Sequence, residues 1–348
     1  MAKKLSIGGA VSSAINSKDF NLHEYKKSNN LVTNTKFKPQ TYIPISEAFT
    51  EAISIEGIPT GQLTILRGHS DSGKTTALLE TAISCQRNGI LPVFIITEMK
   101  WSWEHAISMG LEVTEHCDED GVLFYDGFFI YADRSSLNTI EDVAAFINNR
   151  LKEQREGKLP YSLCFLWDSI GSIPCKLSVE SNNNNNEWNA GAISAQFKNH
   201  VNQQIILSRK EGYPYINTLV CTNKIWVQKG TSYGEQPKLK NSGGESMFSD
   251  AALVITFGNV TSSGSSKIKA VKNGREVEFA KRIKISVDKN HITGITTTGR
   301  VVATSHGFIR DEKKDIDRYK KEYSPSWAKQ LGGGDFDIVE EEYSADDE

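Results

Sequence analysis

The residues Gly68-His69-Ser70-Asp71-Ser72-Gly73-Lys74-Thr75 follow the pattern G-x-x-x-x-G-K-[ST]. Its glycines let a loop wrap closely around an anion. The backbone N–H groups of such a loop, with the first turn of the helix behind it, face phosphate. Lys74 is placed to reach the β- and γ-phosphates of a nucleoside triphosphate, and the Thr75 hydroxyl to ligate Mg2+, with Thr76 completing the phosphate-binding set. The bland alternative is a chance turn before a helix. The context speaks against it: the apolar run Leu63-Thr64-Ile65-Leu66 precedes the loop, and residues 74–86, rich in Ala, Leu, Thr and Ile, follow it as a helix.

Two carboxylates add to this chemistry. Asp168 closes the apolar run Leu163-Cys164-Phe165-Leu166-Trp167, the Walker B arrangement in which a strand-end carboxylate joins the Mg2+ shell. Glu98 closes the run Val93-Phe94-Ile95-Ile96-Thr97, where a carboxylate can orient or deprotonate an attacking water. A helix-starting glutamate is the ordinary reading of that position. Asn223 ends a fourth run and is suited to sensing the γ-phosphate, while Lys224 beside it either does the same or faces nucleic acid.

Five continuous apolar runs, beginning at Leu63, Leu91, Ser162, Thr218 and Leu253, fit strands buried on both faces of a parallel sheet. Between them lie helical stretches. Residues 140–155 put Val143, Phe146, Ile147 and Leu151 on one face, and residues 190–207 place Ile193, Phe197, Val201 and Ile205 four apart. The alternation predicts an α/β core with helices flanking a mostly parallel central sheet. Residues 282–310 read as strand pairs that extend it.

The 348 residues contain 38% hydrophobic and 24% charged side chains, as expected of a globular chain. No apolar run approaches the ~20 residues of a membrane span, and no continuous apolar signal-peptide core follows the basic start Met1-Ala2-Lys3-Lys4. Five scattered cysteines without a CxxC pair argue against a disulfide framework or zinc knuckle and fit a reducing compartment. Residues 335–348 hold eight acids and no Lys or Arg; without them the net charge of −3 becomes +5. Residues 224–300 carry thirteen Lys and Arg against six acids. A basic region and an acidic tail in one chain suit an anionic partner and a mimic of it, or simply a solubilising tail.

The order Ile58-Pro59-Thr60-Gly61-Gln62-Leu63, phosphate loop, Phe94-Ile95-Ile96-Thr97-Glu98, Leu166-Trp167-Asp168-Ser169, Cys221-Thr222-Asn223 and Ser242-Gly243-Gly244 resembles the RecA family of strand-exchange recombinases. The similarity is greatest to its phage UvsX-like branch and covers about residues 45–310. The resemblance implies a RecA-like P-loop ATPase core at 46–310, an N-terminal protomer-docking arm at 1–45, a helical segment with a flexible Gly332-Gly333-Gly334 linker at 311–334, and a disordered acidic tail at 335–348. It makes Glu98 the catalytic glutamate and Lys74 its partner at the phosphates, with ATP and Mg2+ as cofactors. It also implies that residues 174–189 and 225–246 are DNA-binding loops, and that Lys289 and His291 reach ATP on a neighbouring subunit.

Single-stranded and double-stranded DNA, a helical self-assembly, a single-strand-binding protein and a loading mediator are the partners implied, in the host cytoplasm if the chain is phage-encoded. Three departures stand out. His291 replaces a lysine, Lys224 replaces a glutamine, and His105 takes the place of the adenine-stacking tyrosine, with Trp103 as a competing stacker. In the loops, Lys176, Lys229, Lys238 and Lys240 can neutralise phosphates, Trp188 and Trp226 can stack on bases, and Gly243 and Gly244 let the second loop order on binding. A solvated surface loop is the plain alternative. A RecA-core hexameric helicase shares the same ATPase residues, although the short 1–45 arm argues against it. An intact Lys74, Thr75, Glu98 and Asp168 argue against a non-enzymatic mediator.

Overall fold

The computed structural model describes residues 21–29, 36–228, 238–241, 246–258, 265–334 and 336–342. The chain divides into two compact units, 1–38 with 210–212, and 39–209 with 213–348. In the first, Leu22–Ser28 is helical, started by the Asn21 side chain, which accepts from the backbone N–H of His23 and Glu24. Phe37 bridges to Lys210.

The second unit holds the sheet. β1 (Tyr42–Ile43) and β2 (Ile58–Pro59) form a short ribbon. The strands that follow are β3 (Leu63–Gly68), β4 (Leu91–Ile96), the hairpin β5 (Thr114–Cys117) and β6 (Leu123–Asp126), β7 (Ile130–Asp133), β8 (Leu163–Asp168), β9 (Thr218–Gln228) and β10 (Lys238–Asn241). The last are β11 (Leu253–Phe257), β12 (Ser265–Lys272), β13 (Arg275–Asn290), β14 (Thr298–Thr304), β15 (Gly307–Arg310) and β16 (Asp337–Glu342). The main order is β15-β14-β13-β11-β3-β9-β8-β4-β7. From β11 to β7 all neighbours are parallel, and β13, β14 and β15 add antiparallel strands. All five apolar runs are strands of this sheet, buried on both faces as their composition requires.

Helices cover both faces. Lys74–Arg87 packs with Phe94, Leu166 and Phe257 in one apolar cluster. On the other face Ile140–Arg155, started by a reciprocal Thr139–Asp142 capping box, packs with Phe165, Trp167 and the helical run that ends at Leu207. In that run Asn186–Ile193 and Asn202–Leu207 are α-helical, and Ser194–Val201 between them is wound as a π-helix. The spacing explains the winding. In an α-helix each step of four drifts by about 40°. The wider π turn keeps Ile193, Phe197, Val201 and Ile205 on one fully buried stripe.

The structure departs from the sequence reading at three places. The expected loop 225–246 starts as strand: β9 runs on through Gln228 and pairs antiparallel with β10, because Ile225-Trp226-Val227 are strong strand formers. The expected disordered tail contains β16, which pairs with β12 from Ser266↔Glu342 to Val271↔Asp337. Opposite charge drives this pairing: Lys267 lies across from Glu341, and Glu340 forms an ion pair with Arg282 and accepts from the Ser266 hydroxyl. The expected flexible glycine joint is an ordered turn. Gly332 ends the helical segment at φ 83°, and Lys272 donates to the Gly333 carbonyl. Among the described residues no helix is long and apolar enough to cross a membrane, and all five cysteines are free.

Phe165→Ala, in the centre of β8, is expected to cost about 3–5 kcal/mol of stability. Loss of the capping hydroxyl in Thr139→Ala is expected to cost about 1 kcal/mol. Urea denaturation followed by far-ultraviolet circular dichroism checks both.

Candidate active site

The parallel strands β3, β4, β8 and β9 end together, and their ends build one cavity of about 350 Å³. Its walls are the loop and first helical residues from Ser70 to Thr76, then Ile96, Glu98, Lys100, Trp101, His105, Asp168, Lys224, Lys281, Ala303 and Thr304. The loop needs its glycines. Gly73 stands at φ 90°, in the left-handed region. A side chain at Gly68 would meet the Phe257 carbonyl at 2.5 Å.

Lys74 opens the helix Lys74–Arg87 and folds back into the loop. Its ammonium donates to the Gly68 carbonyl at 3.0 Å and to the His69 carbonyl. Burial pulls its pKa down to about 8, against the opposing pull of Asp168 and Glu98. The Thr75 hydroxyl donates to Asp168 Oδ2 at 2.9 Å, and the Thr222 hydroxyl donates to Asp168 Oδ1. Burial raises the Asp168 pKa, and these two hydroxyl bonds work against that rise.

Glu98 is held by two groups. The Ser169 hydroxyl donates to its Oε1 at 2.6 Å, and the Lys224 ammonium lies 3.5 Å from the same atom. The backbone N–H groups of Thr97 and Glu98 both donate to the Asp168 carbonyl, which fixes the end of β4 to the end of β8. The Asn223 side-chain carbonyl is buried without a hydrogen-bond partner. Among the described residues no cluster of three His, Cys, Asp or Glu exists to hold a metal. Adjacent hydroxyl and carboxylate oxygens at Thr75 and Asp168 instead suit Mg2+, which takes few protein ligands and completes its shell with phosphate and water.

Of the sequence-derived residues, the structure brings Ser70, Asp71, Ser72, Gly73, Lys74, Thr75, Thr76, Glu98, His105, Asp168 and Lys224 to the cavity. Of the two competing stackers only His105 lines it. Trp103 instead stacks on Tyr125 at 4.9 Å and joins Trp101, Phe129 and Tyr131 in an aromatic cluster. Burial, followed by the nearby His306, lowers the His105 pKa, which keeps the ring neutral and able to stack at neutral pH.

Lys289 lies at the other end of the sheet. It is paired with Val254 in β11, and its ammonium caps the short helix Ser246–Asp250 through the carbonyls of Phe248 (3.0 Å) and Ser249 (2.6 Å). His291 is exposed beside it. Lys176 starts the helix Lys176–Glu180, and Trp188 is half-buried against the core. The backbones of Trp226, Lys238 and Lys240 belong to the β9–β10 ribbon, while Lys229, Gly243 and Gly244 fall outside the described residues.

Sequence reasoning missed Thr222, Ser169, Lys100, Trp101, Lys281 and the Ala303-Thr304 wall. Thr222 and Ser169 flank strand-end residues already chosen and were legible as such; Lys281 and the wall reach the cavity only through the pairing of β13 with β14.

No family model matches the chain. It is similar to Protein RecA of Ureaplasma parvum serovar 3 in two strains, each 30% identical over 111 residues, covering 26% of this chain and 33% of the relative. The chain thus matches about a third of the length of these relatives. The match supports a distant relationship to RecA, in keeping with the α/β core and its mostly parallel sheet.

Because burial brings the Lys74 pKa to about 8, its ammonium is partly deprotonated between pH 8 and 9. A bound polyphosphate favours the charged form, so binding takes up a proton there and affinity falls as pH rises through this range. Titration calorimetry of ATP in buffers of different ionisation enthalpy should show proton uptake at pH 8.5 and little at pH 6.5.

Proposed function

We propose that this chain is an ATP-dependent recombinase of the RecA type, close to the phage UvsX-like branch, which assembles on single-stranded DNA and catalyses homologous pairing and strand exchange. The observation that carries the reading is the convergence of Lys74, Thr75, Glu98 and Asp168 on one cavity at the carboxyl ends of parallel strands. Lys74 and the loop N–H groups bind the phosphates. Thr75 and Asp168 hold Mg2+, which supplies charge neutralisation at the β- and γ-phosphates when bound. Glu98 orients and deprotonates water, and Asn223 and Lys224 respond to the γ-phosphate.

The charge layout supports the rest of the reading. Lys224 leads along β9 directly into the basic stretch 225–246, so a change at the phosphate has a short rigid path to the DNA-binding loop. Lys289 and His291 lie at the end of the sheet away from their own cavity, which suits a contact with the nucleotide of a neighbour. A head-to-tail contact of that kind repeats into an open helical filament. Residues 174–189 and 225–246 then face the DNA, and the arm 1–45 docks on the adjacent protomer. A single-strand-binding protein and a loading mediator are the further partners of this reading.

A strand-exchange assay with homologous duplex and single-stranded DNA tests the proposal. Electron microscopy with an ATP analogue separates it from the helicase reading, open filaments against closed rings.

Lys74→Ala is expected to abolish ATP binding. Glu98→Gln should bind ATP but hydrolyse it about 10²- to 10⁴-fold more slowly. Loss of ATP affinity in Glu98→Gln would make Glu98 a structural residue. Deleting residues 335–348 removes Glu340 from Arg282 and should tighten binding to single-stranded DNA, most at low salt, because both contacts are electrostatic. Fluorescence anisotropy that superimposes for full-length and truncated chains at every salt concentration would remove the tail from this role.

A further inference from the structure

The cavity has a cation that the phosphate loop does not supply. Lys281, on β13, lines it with the loop residues Ser70 to Thr76, and its ammonium donates to the Asp71 carbonyl at 3.0 Å. Asp71 stands at φ 54°, so a left-handed residue of the loop is tied to a strand more than two hundred positions away in the chain. The Lys281 side chain is only 17% exposed, with Glu278 at 3.9 Å on its own strand. Its β14 register partner, Ala303, lines the same cavity. Four ammonium groups, Lys74, Lys100, Lys224 and Lys281, thus border a space whose anionic neighbours are Glu98, Asp168 and Asp71. Lys74 and Lys224 are close to Asp168 or Glu98, whereas Lys281 engages the rim of the loop through the Asp71 carbonyl and has Glu278 beside it.

We propose that Lys281 is a polyphosphate-contacting residue: from its place beside Asp71 its ammonium reaches the phosphates of a bound nucleotide. A polyphosphate carries several negative charges, against the single charge of Glu278 and the neutral Asp71 carbonyl, so it is the stronger partner for this ammonium. The proposal rests on the nucleotide reading above and deepens it, because it makes the antiparallel extension of the sheet part of the nucleotide site. It also gives β13 two ends with work to do. Lys281 stands at its own nucleotide, and Lys289, assigned to the neighbour's nucleotide, lies eight residues further on, roughly 26 Å by strand rise.

The test measures the affinities of wild type, Lys281→Met and Lys281→Arg for ATP, ADP and 2′-deoxy-ATP with Mg2+, together with nucleotide-free melting temperatures. The expected result is about a tenfold weaker affinity of Lys281→Met for all three nucleotides, substantial recovery in Lys281→Arg, and an unchanged melting temperature. Wild-type affinity in Lys281→Met overturns the proposal while leaving the nucleotide reading intact. A loss seen with ATP but absent with 2′-deoxy-ATP overturns it in favour of a ribose contact. A loss that follows a lowered melting temperature and is not recovered by arginine overturns it in favour of a purely structural brace. A wild-type chain that binds none of the three nucleotides overturns the reading and the proposal together.

Discussion

A buried carboxylate, Asp168, is the point on which the site and much of the sheet depend. Burying it is costly unless its oxygens are bonded, and both are: Thr75 from the helix Lys74–Arg87 bonds one and Thr222 from β9 the other. The carbonyl of the same residue accepts from Thr97 and Glu98 at the end of β4. One residue therefore sets the relative positions of the phosphate loop, β9 and β4. The ammonium of Lys74, itself desolvated, lies in the same field and offsets part of the cost. The hydroxyl and carboxylate that bond each other here are also the kinds of oxygen a hard cation takes, so the structural tie uses atoms suited to such an ion.

The antiparallel half of the sheet serves the site from behind. β13 pairs with β11, which pairs with the loop-bearing β3, so the position of Lys281 is set by hydrogen bonds rather than by a loop. Ile283 of β13 and Phe308 of β15 close against Gly73, and the half-buried Glu80 carboxylate ties the helix behind the loop to the Phe308 N–H at 2.7 Å. The loop is held on one side by its own helix and on the other by strands that come two hundred residues later.

The parallel strands were legible because a strand buried on both faces must be apolar along its whole length, and Leu91–Ile96 or Leu163–Asp168 can be little else. Glu98 and Asp168 were legible because each closes an apolar run, and Lys74 and Thr75 because they open the helix behind a glycine-bounded loop. Lys281 was not, since its role comes from cross-strand register with Ala303. Trp103 read as a base stacker but has enough aromatic neighbours to be satisfied by packing alone. β16 was hidden by composition: Ile338 and Val339 are its only apolar residues, and an acidic segment reads as solvated until the basic β12 is seen beside it. The exposed β5–β6 hairpin left no clear signal either, because it has no buried face to impose a pattern.

The pairing of β16 with β12 bears on how the chain reaches its fold. The two strands are separated by β13, β14, β15 and the helix Lys313–Trp327, so their contact closes a long loop and forms late. Until then β12 presents a row of open N–H and C=O groups that any extended segment of another molecule can join. Lys267, Lys269 and Lys272 on that strand repel an identical copy during this interval. The acidic strand complements the charge left on this edge, so the same lysines guard the open edge against aggregation and favour the partner that closes it.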